Sequence, residues 1–101
     1  MPLAKKYAKD KATCRVTFSM SAEAAGDPRK LFLAGDFNGW NPTALPMRKT
    51  GDRFTASLDL PAGRQHQYRY VTDQGQWLND TEADCYVYNS FAESDNSVAA
   101  L

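Results

Sequence analysis

Along this chain apolar side chains recur at every second position over short stretches, and no helical period is sustained anywhere. Cys14, Val16, Phe18 and Met20 alternate with Arg15, Thr17 and Ser19, the period of a strand with one buried face. The stretch SAEAAGDPRK ends in a Gly-Asp-Pro turn signal, and Leu31 to Ala34 then form an apolar run short enough for a buried strand. GDFNGWNP gathers Gly, Asp, Asn and Pro around two aromatics and predicts a loop with an Asn-Gly turn inside it. After the Gly51-Asp52 turn, Phe54, Ala56, Leu58 and Leu60 alternate with Thr55, Ser57 and Asp59, the clearest strand of the chain. Pro61-Ala62-Gly63 ends it, and Tyr68 and Tyr70 then alternate with Gln67, Arg69 and Val71 before the polar turn TDQGQ. Trp77 opens a returning strand. Cys85 to Tyr88 form a further aromatic segment, and Ser97 to Leu101 close the chain after the polar loop NSFAESDN.

Short strands separated by turns roughly every ten residues predict an all-β fold, an antiparallel two-sheet sandwich of about seven strands. Residues 1–12 carry Lys5, Lys6, Lys9 and Lys11 with little periodic apolar pattern, and are expected to be a flexible leader to a domain spanning 13–101. A chain of 101 residues has room for one core.

Charge narrows the partners. Twelve Lys and Arg balance twelve Asp and Glu, so no net field draws the protein to nucleic acid or to an anionic membrane. No apolar run approaches the roughly 18–20 residues of a membrane span, and the N-terminus lacks the apolar stretch of a signal peptide, so the expected compartment is cytoplasmic. Cys14 and Cys85 are too few for a disulfide scaffold and lack the paired spacing of a zinc site. Both are expected as free thiols, with a single bridge open only if their strands are neighbours.

No residue set has the pattern of a catalytic site, a metal site or a cofactor cradle, and the protein is read as not an enzyme. His66 has no nucleophile in a recognisable context, and Asp36, Asp73 and Asp80 fit turn positions where a carboxylate accepts from local backbone N–H groups. The aromatics carry more information. Trp40 lies in a loop of turn formers and Trp77 follows a turn. Two readings stay open for both: lids folded back onto the core, or exposed platforms for a ligand. A flat indole beside hydrogen-bond donors suits a sugar, which presents C–H groups on one face and hydroxyls round its edge. Arg69, with five donors and no acceptor, points outward if Tyr68 and Tyr70 point inward.

LFLAGDFNGWNP, LDLPAGRQHQYRYVTDQGQW and the ending DNSVAAL, taken as an ordered set, resemble carbohydrate-binding module family 48. That family includes the glycogen-binding domain of the AMP-activated protein kinase beta subunit and the N-terminal domain of isoamylases and branching enzymes. The resemblance runs from about Cys14 to Leu101. It implies an early-set immunoglobulin-like sandwich that binds α-1,4-linked glucan such as glycogen, starch or a maltooligosaccharide. It further implies Trp40 and Trp77 as stacking platforms, Arg69 as the basic donor, Phe91 as the late-loop hydrophobe, and Asp95 or Asn96 as the polar residue that follows. Arg69 stands where Lys is more usual, and Thr81 where Pro often follows the aspartate. A second function class stays open: a protein-interaction or regulatory domain acting in trans on a glucan-metabolising enzyme or a kinase.

Overall fold

The computed structural model describes residues 3–90 and 94–101. Among these residues nine strands form two antiparallel sheets packed as a sandwich, the all-β immunoglobulin-like architecture. Among the described residues there is no helix, and so none long and apolar enough to cross a membrane.

The first sheet contains β1 (Ala4–Tyr7), β2 (Thr13–Ser21), β4 (Arg48–Thr50) and β5 (Arg53–Pro61), in the order β1-β2-β5-β4. The second contains β3 (Leu31–Gly35), β6 (Gln65–Thr72), β8 (Cys85–Asn89) and β9 (Ser94–Ala100), in the order β3-β6-β9-β8, with the short β7 (Trp77–Leu78) also paired to β6. The alternating stretches seen in sequence are β2, β5 and β6. Their apolar members face inward because paired residues share a face: Cys14 opposes Leu60, Val16 opposes Leu58 and Met20 opposes Phe54. Two strands, β1 and β4, have no counterpart among those expected from sequence. β4 is three exposed residues, and β1 falls within the segment expected as a leader, pairing Lys5 with Val16 and Tyr7 with Cys14.

Between the sheets Phe18 meets Tyr68 edge-on at 4.8 Å between centroids, and Tyr68 meets Tyr70 at 5.8 Å. Each such pair adds about 0.5–1.5 kcal/mol beyond the area it buries. Both phenols need an acceptor, and the buried Asp80 supplies it: its Oδ2 accepts from Tyr68 at 2.7 Å and from Tyr70 at 3.2 Å. Asp80 also has its expected turn role, Oδ1 accepting from the Glu82 N–H at 2.9 Å. Burial raises both phenols well above the ordinary tyrosine range, and Asp80 raises them further. Cys14 and Cys85 are free thiols in different sheets.

Candidate functional site

The outer face of the second sheet differs from an ordinary solvated face. With Tyr68 and Tyr70 inward, the β6 residues Gln67, Arg69 and Val71 face outward. Register extends this face across the sheet, since Ala34 lies opposite Arg69, Trp77 opposite Val71 and Val98 opposite Gln67. Ala34, Val71 and Val98 are at most 2% exposed and stand apart from the inter-sheet core cluster. They form an apolar floor under the polar side chains.

On that floor Arg69 is fixed from three directions. Its Nε donates to Asn96 Oδ1 at 2.8 Å, and its Nη2 donates to Ser94 Oγ and, at 2.7 Å, to the Asp95 carbonyl. The Asn96 amide donates in turn to Gln67 Oε1 at 3.0 Å. In a second thread Asn79 Nδ2 donates to the Asp95 carbonyl, Ser97 Oγ donates to Asn79 Oδ1, and the Asp80 N–H donates to Ser97 Oγ. The outward guanidinium is thereby connected to the turn that carries the buried carboxylate. These bonds occupy Nε and Nη2, and Nη1 has no partner among the described residues. A planar cation held this way loses little side-chain entropy when it donates to a ligand.

Trp77, 40% exposed, stands beside Val71, two residues along β6 from Arg69. Trp40 is half-buried, in the loop that leaves β3 beside Tyr68. The Trp40 loop thus leaves the sheet opposite Tyr68, and Trp77 pairs with Val71, positions on either side of Arg69 and about 10 Å apart along β6 at the usual rise per residue. The loop is tightly built. Asn38 accepts from the Gly35 N–H at 3.1 Å and donates to the Leu33 carbonyl at 3.0 Å, while the Trp40 N–H donates to the Gly35 carbonyl at 2.9 Å. Gly35 is required there, because a Cβ would lie 2.6 Å from both the Gln67 carbonyl oxygen and the Phe37 ring. Gly39 and Trp40 both take positive φ, at 65° and 60°. For Trp that region is strained, by about 1–2 kcal/mol.

The sequence-derived candidates thus fall as follows. Arg69, Trp77, Asp95 and Asn96 share one sheet. Asn96 is 3% exposed and spends both ends of its amide on Arg69 and Gln67. Asp95 is exposed and contributes its backbone carbonyl to the network. Phe91 lies outside the described residues. Gln67, Asn79 and Ser94 were not singled out from sequence; only the alternation about Tyr68 and Tyr70 offered a signal, and only for Gln67. His66 is buried, its Nε2 3.0 Å from the Pro61 carbonyl and its Nδ1 3.6 Å from Asp36. Asp36 also accepts from the Gln67 N–H at 3.0 Å, tying the loop to β6.

The family described as the glycogen recognition site of AMP-activated protein kinase matches residues 20–98, which include the loop of Trp40, all of β6 and β7, and most of β9. The chain belongs to this family, carbohydrate-binding module family 48. As a family 48 module it is similar to the human 5'-AMP-activated protein kinase subunit beta-2, 44% identical over 52 residues, which is 52% of this chain and 18% of that protein. It is also similar to the pig subunit beta-1, 42% identical over 55 residues, or 54% of this chain and 42% of that sequence. The module therefore spans less than half the length of these relatives.

Proposed function

We propose that this protein is a non-catalytic carbohydrate-binding module for α-1,4-linked glucan, such as glycogen, starch or a maltooligosaccharide. Trp40 and Trp77 stack on sugar faces, and Arg69 donates from Nη1 to hydroxyls between them. The observation that carries this is the outer face of the second sheet: an exposed indole beside a guanidinium already oriented by three bonds, over a buried apolar floor. Membership of a family described by glycogen recognition supports the same ligand class.

Asn96 and Ser94 act by holding Arg69, and Gln67 holds Asn96. A shallow site of two rings and a few hydrogen bonds leaves much of the sugar wet, so affinity should be modest, on the order of micromolar to millimolar. Co-sedimentation with glycogen provides the test. Wild type should pellet and be released by excess maltooligosaccharide, while Trp77→Ala should remain largely in the supernatant. A wild-type protein that stays in solution at millimolar glucose equivalents would overturn the proposal.

A further inference from the structure

Each sheet has two edges, and an open edge exposes backbone N–H and C=O groups that another strand can pair with. Three of the four edges are protected. β1 carries Lys5 and Lys6, and β4 carries Arg48 and Lys49. β3 is covered by the segment after the Trp40 loop: Leu33 N–H donates to the Leu45 carbonyl at 2.9 Å, Met47 N–H donates to the Leu31 carbonyl at 2.8 Å, and Pro46 bridges Phe32. β8 is different. Its sequence, CYVYN, has no charge and no proline, and no strand pairs with its outer edge among the described residues. Tyr86, Val87 and Tyr88 on it are 44, 38 and 63% exposed.

We infer that β8 is a self-association edge and that its occupant is β8 of a second copy of this chain, paired antiparallel about Val87. The segment is self-complementary in that register: Val87 faces its own copy, and Tyr86 faces Tyr88 on either side. No like charges meet within the strand, and the chain as a whole has no net charge to oppose association. The pairing is isologous, as closed dimers require. Five residues a side is far below the 20–30 of a standard interface, so the dimer is weak, with a Kd on the order of 10 µM to 1 mM.

A two-fold axis perpendicular to the joined sheet keeps both outer faces on one side. The sheet order then reads β3-β6-β9-β8 and back through the second copy. The two Arg69 strands are five strand spacings apart, about 24 Å. If the proposed function holds, the dimer presents two glucan sites toward one polysaccharide surface, and glycogen is bound bivalently.

Sedimentation velocity on the full chain without glucan, from about 5 µM to 1 mM, tests the association. Wild type should pass from monomer to dimer across that range. Val87→Lys, which sets two ammonium groups opposite each other, and Tyr88→Lys should each raise the midpoint tenfold or more while retaining a cooperative unfolding transition. Val87→Cys in a Cys85→Ser background should form a disulfide-linked dimer on mild oxidation of the concentrated protein. A wild-type monomer at 1 mM, or a dimer indifferent to Val87→Lys and Tyr88→Lys, would overturn the inference. Because no sugar is present, that failure is separate from a failure of glucan binding, which the co-sedimentation experiment reads.

Discussion

On the outer face of the first sheet, Arg15 pairs with Asp59 at 2.9 Å, Thr17 with Ser57 at 2.9 Å, and Arg53 reaches Ser19 at 3.1 Å. On the outer face of the second, Arg69 rests over Ala34, Val71 and Val98 and is held by Asn96, Ser94 and the Asp95 carbonyl. Both faces use arginine across neighbouring strands. The Arg15 pair stands in water, where each partner is already well solvated and the bond changes little. Arg69 sits above an apolar floor beside an indole, and its network reaches the turn of the buried Asp80. Both guanidinium groups are held in place, Arg15 by an exposed carboxylate and Arg69 by neutral partners over an apolar floor, and the proposed function rests on the second arrangement.

The largest expected effect separates the two faces by stability. Asp80→Ala leaves the hydroxyls of Tyr68 and Tyr70 buried without their carboxylate acceptor and should lower the unfolding free energy by about 2–4 kcal/mol in urea titration. Asp80→Asn keeps an acceptor and should lose less. If Asp80→Ala unfolds at the same urea concentration as wild type, the buried acceptor has been given too much weight.

The same pair sets a pH dependence. Both phenols have folded pKa values raised by burial, so above about pH 10 the unfolded chain releases protons that the folded protein keeps. The stabilisation is complete below that pH and falls as pH rises toward the folded values, by about 1.4 kcal/mol per pH unit for each tyrosine. Tyr68→Phe should reduce the slope measured by urea unfolding between about pH 10 and 12. An unchanged slope would show that other groups dominate.

Binding effects come next. Trp77→Ala and Trp40→Ala should each weaken glucan binding by about 1–3 kcal/mol, by analogy with stacking on nucleic-acid bases, while unfolding stays cooperative. Should either substitution unfold the protein, that ring belongs to the core.

Arg69→Ala and Asn96→Ala should each weaken binding less than loss of an indole, and the double variant should be no weaker than Arg69→Ala alone, because Asn96 acts through Arg69. Additive losses would mean that Asn96 touches the sugar itself. Smallest of all, Asp59→Ala on the first face should leave glucan affinity and the urea midpoint indistinguishable from wild type; a resolvable change in either would erase the contrast between the faces.

The two sides of β2, β5 and β6 were legible because alternation has one period and a buried face must be apolar; on β6 it set Tyr68 and Tyr70 opposite Arg69, and the buried tyrosines of the structure make the Arg69 side the outward one. β4 was not legible, because three exposed polar residues carry no pattern, and β1 was hidden for the same reason by its lysines. The apolar floor escaped notice because burial on an outer face comes from what covers it, which sequence spacing does not encode. The roles of Asn79, Ser94 and Ser97 depend on partners up to 25 residues distant along the chain. Asp80 was readable as a turn former and unreadable as the acceptor of two tyrosines for the same reason.

Tryptophan fluorescence during titration with maltoheptaose or a cyclic α-glucan tests the proposed site most directly. Trp40 and Trp77 are the only tryptophans of the chain, so every spectral change comes from one proposed platform or the other. A saturable change with a Kd between about 1 µM and a few millimolar is expected, with the response reduced in Trp77→Ala and in Trp40→Ala. A flat titration to saturating glucan, with the wild-type protein folded throughout, would contradict the assignment of this face to sugar.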